Sequence, residues 1–358
     1  MDTNVKAPFF LTQAAAPHLK ATKGSVINLG DIIGEQASPP LTIYGISKAA
    51  LIMATKNHAI ELGPEVRVNY ICPGAVAWPE VEQDHHDDAF RKEWLARTPL
   101  GKIGTAEDVA DAVVFLASPS SSYLTGSGIT VCGGRSLRLY SVSEFKLPGI
   151  QNNIKSPLMH LRPNSAHVIS GDLSASVAAT AQRLVAEAQA QWGRLDLLVN
   201  NASLFFPTPI ADATEATWTQ LMNTNVMSPY FLMQAAAPHL KAAAGNIINL
   251  GDIGGETPTP PYFTVYSMTK AALIMASKQL AVELAPEVRV NYINPGAVIW
   301  PEADVGNTYQ KEWLSRTPLG REGSGEDVAE AAVFLASPAA SYITGSSINV
   351  CGGRSVMN

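Results

Sequence analysis

The sequence has few cysteines and no long apolar run. Its 358 residues include only Cys72, Cys132 and Cys351, which cannot all pair and show no close metal-ligand spacing. A disulfide framework is therefore not predicted, and a reducing compartment is the simplest interpretation. No apolar stretch approaches the roughly 20 residues of a membrane span, and the start has no signal-peptide pattern. We expect a cytoplasmic protein that has no membrane partner.

Charged residues are also scarce, at 16% of the chain, with a formal net charge of -6 and a pI of about 5.7. No dense run of lysine and arginine occurs, so nucleic acid is not an expected partner. A loop over 82–88 mixes histidine with carboxylates. We expect a solvated loop there and no metal site, because the corresponding later stretch, "ADVGNTYQ", has a different composition. A composition that is 46% hydrophobic indicates a globular chain long enough for two domains, whose partner is a small molecule or another subunit.

One long segment occurs twice. "TNVKAPFFLTQAAAPHLK" from Thr3 matches "TNVMSPYFLMQAAAPHLK" from Thr224, and the similarity continues to "VCGGRS" at Val131 and at Val350. This length far exceeds the roughly 20 to 50 residues of a solenoid repeat and indicates a domain-scale duplication. Between the copies lies a segment without sustained periodicity that contains scattered Pro, Gly and Asn. The predicted division is one copy over 1–136, a linker over 137–165 and a longer copy over 166–358.

Each copy alternates strand and helix patterns. "GSVINLG", "GNIINLG" and both "EVRVNYI" segments are short apolar strands, whereas "EDVADAVVFLAS" has helical spacing. The second copy is preceded by "AHVISGDLSASVAATAQRLVAEAQAQWGRLDLLVNNAS", which we interpret as strand, helix, strand. The predicted fold class is α/β, with a parallel sheet covered by helices on both faces.

A tyrosine and a lysine recur four residues apart, as Tyr44 with Lys48 and as Tyr266 with Lys270. On a helix this spacing places the phenol and the ammonium on one face. A phenol titrates near ~10, and a nearby ammonium favours the phenolate, so we expect the lysine to lower the tyrosine pKa and make it a general acid. The spacing alone also occurs by chance on many helices.

The surroundings of this pair resemble the short-chain dehydrogenase/reductase family. The pair follows an apolar strand ending in "NLGD" and precedes "NPGAV" after the next strand, and "LVNNAS" resembles the family's Asn-Asn-Ala motif beneath the cofactor ribose. The resemblance implies a Rossmann-like doubly wound sheet. It also implies that the tyrosine and lysine act with a strand-end residue and with an asparagine from an earlier helix, Asn4 in the first copy and Asn225 in the second. The implied cofactor contacts are Tyr266, Lys270, Asp172, Leu173, Asn201, Ala202, Ser203, Pro295 and Gly296.

Asp31 and Asp252 stand where the family usually has serine, which narrows the resemblance to pteridine reductases and dihydromonapterin reductases. That subgroup implies hydride transfer from NADPH to a pterin-like substrate, with the aspartate joining the tyrosine in proton transfer. It further implies that Phe205 stacks on the substrate, that Ser203 contacts cofactor and substrate, and that Trp300 lies near the substrate. Taken singly, each of these residues also fits an ordinary packing or capping role.

The family's Gly-rich turn, which holds the cofactor pyrophosphate, precedes neither copy, so we interpret both as N-terminally truncated. The glycines of "GREGSGEDVAEAAVF" follow a loop, and we expect them to start a helix. The incomplete copies are expected to pair as an internal pseudo-dimer through the Tyr-Lys helices, or to form a homo-oligomer. Two alternatives stay open: a catalytically silent pseudoenzyme or interaction subunit, and a misjoined reading of two adjacent genes.

Overall fold

The computed structural model describes residues 2–36, 41–76, 88–137, 167–209, 211–257, 263–298 and 307–357, without the side chains of 88–91. We call residues 2–137 the first half and 167–357 the second half. Nearly all of the predicted linker, and the loop over 82–87, lie outside the described residues.

The first half contains four α-helices and three strands in the described residues. The strands β1, β2 and β3 are joined in that order, and every pairing is parallel. The elements are α1 (Ala7–Thr22), β1 (Ser25–Leu29), α2 (Thr42–Leu62), β2 (Arg67–Pro73), α3 (Asp88–Ala96), α4 (Ala106–Ala117) and β3 (Gly128–Val131).

The second half repeats this order and adds a helix, a strand and a further helix before it. Its described strands β4, β5, β6 and β7 form a parallel sheet in that order. The elements are α5 (Val177–Trp192), β4 (Leu197–Asn200), α6 (Glu215–Met222), α7 (Ser228–Ala243), β5 (Asn246–Leu250), α8 (Thr264–Glu283), β6 (Arg289–Pro295), α9 (Thr308–Ser315), α10 (Gly325–Ala336) and β7 (Ser347–Val350). The α/β class predicted from the sequence is confirmed.

Helices cover both faces of the first sheet. On β2, Ile71 joins an apolar cluster with Phe115 of α4, whereas Tyr70 and Cys72 join a cluster with Ile52 of α2. Successive side chains of a strand point to opposite faces, so α4 and α2 pack on opposite sides of the sheet. The apolar strand pattern follows from this double burial.

The glycines of "GREGSGED" begin a helix, as predicted. Ser324 caps α10: its hydroxyl accepts from the Asp327 backbone N–H at 3.2 Å, and the Asp327 carboxylate accepts from the Ser324 backbone N–H at 2.9 Å. This reciprocal capping box satisfies two backbone donors that the first helical turn leaves free.

The strand predicted for "AHVIS" is wrong for its described part. Residues 167–172 are irregular, and α5 and β4 follow as predicted. A strand requires a neighbour that takes up its backbone hydrogen bonds, and the described partner of β4 is β5.

The two halves share contacts through their last helices and strands. The rings of Phe115 and Phe334 stack at 4.1 Å with an interplanar angle of 3°. Tyr123 donates its hydroxyl proton to the Arg321 carbonyl at 3.1 Å, and one apolar cluster contains residues of both sheets. The sequence predicted contact through the Tyr-Lys helices, but these described contacts come from α4, α10 and the segments beside them. The stacked rings of Phe115 and Phe334 shield each other from water, and both side chains are buried.

Candidate active site

Asp252 follows β5 and begins the short 3-10 turn Ile253–Gly255. One carboxylate oxygen, Oδ1, accepts the Gly254 backbone N–H at 2.6 Å, and the other, Oδ2, accepts the Tyr266 hydroxyl at 2.9 Å. Aspartate is a favoured capping residue because its short side chain reaches the backbone N–H two residues later. The cap orients the carboxylate toward the first turn of α8.

Tyr266 and Lys270 lie one turn apart on α8, and both are buried, with 5% and 4% of their surfaces exposed. The Lys270 Nζ donates to the Leu250 carbonyl at 2.8 Å, at the end of β5. Its distance to the Tyr266 ring centroid is 5.7 Å. The predicted Asp252, Tyr266 and Lys270 therefore form one group at the end of β5, with Asp252 partly buried and the other two buried.

Burial controls the protonation of this group. Desolvation raises the Asp252 pKa, against the hydrogen bonds from Gly254 and Tyr266 and the charge of Lys270. Desolvation also lowers the Lys270 pKa to about 8, and the Asp252 charge partly opposes that shift. A lysine that titrates there changes charge within the range in which enzymes are commonly assayed.

The expectation that lysine lowers the tyrosine pKa is not met. The Tyr266 pKa is raised, first by burial and then by the charge and hydrogen bond of Asp252. The lysine ammonium donates its hydrogen bond to the Leu250 carbonyl, whereas the Asp252 carboxylate accepts a hydrogen bond from the phenol. Tyr266 is therefore a neutral phenol at neutral pH, the form that can donate a proton.

Asn225 is 1% exposed and holds the loop that follows β4. Its Oδ1 accepts the Leu204 backbone N–H at 2.8 Å, and its Nδ2 donates to the Leu204 carbonyl at 2.9 Å. The same Nδ2 lies 3.1 Å from the hydroxyl of Thr269, which donates at 2.6 Å to the Tyr266 carbonyl. The predicted asparagine thus connects the loop carrying Phe205 to the helix carrying Tyr266.

Phe205 is 59% exposed beside the buried tyrosine. Its ring stacks on Phe263 at 4.5 Å with an interplanar angle of 5°, and it meets the Tyr266 ring edge-on at 4.7 Å. Phe263 was not predicted from the sequence, although an aromatic residue three positions before Tyr266 is a usable signal for a shared helix face. The two phenylalanines form an aromatic surface next to the phenol.

The remaining predicted contacts follow strand ends. The carboxyl ends of parallel strands meet at one edge, the usual position of an α/β ligand site. Exposed residues follow β4 there, and Gly296, after β6, donates its backbone N–H to the Val350 carbonyl at 3.0 Å.

The stretch with Asp172 and Leu173 is bonded to the start of α7, where the Ser228 hydroxyl donates to the Leu173 carbonyl at 2.6 Å. Trp300 lies outside the described residues. The strand-end positions are Asn201, Ala202, Ser203, Pro295 and Gly296.

The first half contains the same bonds in a more open setting. The Tyr44 hydroxyl donates to Asp31 at 2.9 Å, and the Lys48 Nζ donates to the Leu29 carbonyl at 2.8 Å. Asn4 donates to the Ser47 hydroxyl at 3.1 Å. Tyr44 is 36% exposed, and its pKa is also raised, by partial burial and by Asp31.

Two features of the described ranges concern metal ions and membranes. His, Cys, Asp and Glu side chains there do not gather in groups of three or more that could hold a metal ion. None of the helices in those ranges has the length and apolar character needed to cross a bilayer.

Comparison with known proteins gives a family. The family model described as enoyl-(acyl carrier protein) reductase matches residues 1–136 and 158–355. Pteridine reductase 1 of Leishmania tarentolae is 31% identical over 286 residues, covering 69% of this chain and 95% of that protein. The 3-oxoacyl-[acyl-carrier-protein] reductase FabG of Chlamydia trachomatis is 38% identical over 167 residues, covering 46% of this chain and 67% of that protein.

A solved structure also resembles this chain. A protein assigned as a short-chain alcohol dehydrogenase from Sinorhizobium meliloti has a TM-score of 0.50 and 31% sequence identity, covering 52% of this chain and 75% of that chain. The family match, the relatives and the parallel sheets all point to one group. This chain belongs to the short-chain dehydrogenase/reductase family of NAD(P)-dependent oxidoreductases.

Proposed function

We propose that this chain reduces a pterin-like substrate with NADPH, using the second-half group of Asp252, Tyr266, Lys270 and Asn225. The observation that carries the proposal is the partly buried 2.9 Å hydrogen bond from Tyr266 to Asp252 beside the exposed ring of Phe205. A proton donor next to a flat apolar surface suits the reduction of a heteroaromatic ring.

The donors around Lys270 fit the nicotinamide and ribose portion of the cofactor. An ammonium, a phenol and the exposed backbone after β4 supply hydrogen-bonding groups at one sheet edge. Lys270, Tyr266 and the strand-end residues would hold that portion, with Asp172 and Leu173 at the adenine end. Bound NADPH supplies the hydride. The preference for NADPH over NADH is part of the proposal.

The protein's part in the reaction is to provide one proton. Tyr266 is a neutral phenol and donates its proton to the substrate atom that becomes basic as reduction proceeds. A proton from solvent then restores the phenol: Asp252, whose pKa burial raises, takes up that proton and passes it to the phenolate through their shared hydrogen bond. Lys270 holds the cofactor and stabilises the transient phenolate by charge. Asn225 keeps the loop with Phe205 in register with Tyr266.

The substrate class rests on two supports. Pteridine reductase 1 is similar to this chain over 95% of its own length. Phe205 and Phe263 offer stacked rings on which a pterin would lie, and Ser203 and Trp300 are proposed to complete its contacts. For the first half we propose that Asp31, Tyr44, Lys48 and Asn4 keep the geometry of a catalytic group without turning over substrate, since Tyr44 is open to water.

We propose the division into segments 1–136, 137–165 and 166–358, with the halves forming an internal pseudo-dimer through α4 and α10. The Phe115–Phe334 stack and the shared apolar cluster support this arrangement.

The test is NADPH oxidation by the full chain with 7,8-dihydrobiopterin, compared with acetoacetyl-coenzyme A. We expect turnover with the dihydropterin and little with the thioester. Phe205→Ala should raise the KM for the dihydropterin about tenfold, since base-aromatic stacking contributes about 1–3 kcal/mol, and should leave NADPH affinity unchanged. Phe10→Ala, at an exposed phenylalanine of α1, is the matched control. A folded chain that neither binds NADPH nor turns over either substrate would instead support the catalytically silent alternative.

A further inference from the structure

A cavity of about 770 Å³ lies between the two halves, and its lining does not include Asp252, Tyr266 or Lys270. This volume is in the range of sites for small molecules, roughly 300–1,000 Å³. Its walls come from corresponding positions of both halves, so each half contributes one carboxylate, one ammonium and one phenol. These pairs are Glu35 with Glu256, Lys56 with Lys278, and Tyr70 with Tyr292.

The floor of the cavity is the junction of β3 and β7. The Thr130 backbone N–H donates to the Ser346 hydroxyl at 3.2 Å, and the Asn349 backbone N–H donates to the Ser127 hydroxyl at 3.2 Å. Along the chain from Ser127 to Thr130 the bonded partner changes from Asn349 to Ser346, so the two segments run antiparallel across the junction. Hydroxyl groups complete this junction between the sheets.

The two faces of the junction differ in chemistry. Ile129 packs in the apolar cluster with Phe115 and Phe334, whereas Gly128 and Thr130 line the cavity. Alternate residues of a strand point to opposite faces, so one face is closed by stacked rings and the other carries the cavity. Small and polar side chains on that second face leave space beside charged groups.

The charged groups around this cavity interact electrostatically with one another. Glu35 reaches water in the cavity and accepts the Tyr70 hydroxyl at 3.3 Å. Its pKa is raised chiefly by desolvation; the Tyr70 hydrogen bond and the charge of Lys56 oppose the rise, and the charge of Glu256 adds to it. Lys278 lies over the Tyr292 ring, with its Nζ 5.9 Å from the centroid.

Both signs of charge are available to a ligand. Among the residues that the structure describes, the ion pairs involve none of Glu35, Glu256, Lys56 and Lys278. A dicarboxylate would leave the two glutamates without an opposite charge, a diamine would leave the two lysines without one, and an apolar molecule would leave all four without one. A molecule with one group of each sign satisfies both kinds of wall.

We infer that this cavity binds a small zwitterion of the amino-acid class, with its carboxylate toward Lys56 and Lys278 and its ammonium toward Glu35 and Glu256. The ligand lies across the junction and contacts both halves. It therefore binds the folded, packed chain and stabilises it.

The experiment is a thermal unfolding series on the full chain with each of the twenty standard amino acids at about 10 mM. We expect at least one to raise Tm by about 3 °C or more through binding to the folded state. Propionate and propylamine, which carry one charge each, should give no comparable shift at the same concentration.

Two double variants locate the effect. Glu35→Gln with Glu256→Gln, and Lys56→Met with Lys278→Met, should each weaken calorimetric binding of the active amino acid at least tenfold. Lys311→Met, at an exposed lysine of α9, is the matched control and should bind as wild type does. If circular dichroism shows a folded chain and none of the twenty amino acids shifts Tm, or if both double variants bind normally, the inference is wrong.

Discussion

The two Asp-Tyr-Lys groups have the same hydrogen bonds but different surroundings. In both, the phenol donates to the aspartate at 2.9 Å and the lysine donates to a strand-end carbonyl at 2.8 Å. Tyr266 is 5% exposed, whereas Tyr44 is 36% exposed. Local sequence therefore determines the geometry of the group, and more distant elements determine its access to water.

The difference in burial follows from the neighbouring strands. All five residues of β5, which lies between β4 and β6, are buried, whereas β1 has β2 as its described partner and ends in Leu29, which is 50% exposed. The loop after β4 also brings Phe205 to Tyr266. At the position corresponding to Phe263 the first half has Leu41, which is 45% exposed. The comparison indicates that β4 and the loop after it shelter the second-half group from water, although both groups have the same hydrogen bonds.

The largest expected contrast is catalytic. Tyr266→Phe removes the proposed proton donor and should lower kcat by about 10²–10⁴-fold, the usual contribution of general acid catalysis. Tyr44→Phe should change kcat less than about twofold, because the proposed chemistry does not use the first-half group. Steady-state NADPH oxidation with 7,8-dihydrobiopterin measures both. Equal losses in the two variants would remove the distinction between the groups.

A smaller contrast is expected in stability. Asn225→Ala leaves both backbone groups of Leu204 without a buried partner and should reduce the free energy of unfolding by about 2–3 kcal/mol. Asn4→Ala loses one partly buried hydrogen bond and should cost about 1 kcal/mol or less. The urea midpoints of the two variants measure the difference, provided that the slope of the transition is unchanged. A larger loss for Asn4→Ala would contradict the assigned roles.

The smallest contrast concerns pH. Lys270 has a pKa lowered to about 8, so its ammonium is lost as pH rises through that value. NADPH affinity should therefore fall by about tenfold between pH 7 and pH 9, as expected for one charged hydrogen bond. Lys270→Arg keeps a charge over this range and should flatten the profile. Fluorescence titration across pH measures it, with Lys48→Arg as the control that should leave the wild-type profile unchanged.

The local parts of the site were predictable from the sequence. The helical spacing placed Tyr266 and Lys270 on one face, and the strand pattern placed Asp252 at a strand end. The strands predicted for "GSVINLG" and "EVRVNYI" of the first half are β1 and β2. These features depend on residues close together in the chain, where periodicity and capping rules apply.

Features that depend on distant packing were not predictable. The raised Tyr266 pKa comes from burial and from which partner the phenol meets, neither of which spacing specifies. The contact between the halves uses α4 and α10, whose apolar stripes also suit packing on their own sheets. The cavity between the halves arises only once both sheets are placed.

The number of NADPH molecules bound per chain tests the central claim most directly. Calorimetric titration of the full chain should give one site per chain, lost in Lys270→Met and retained in Lys48→Met. Two sites per chain, or one site that Lys48→Met removes, would contradict the account, as would the absence of binding by a folded chain.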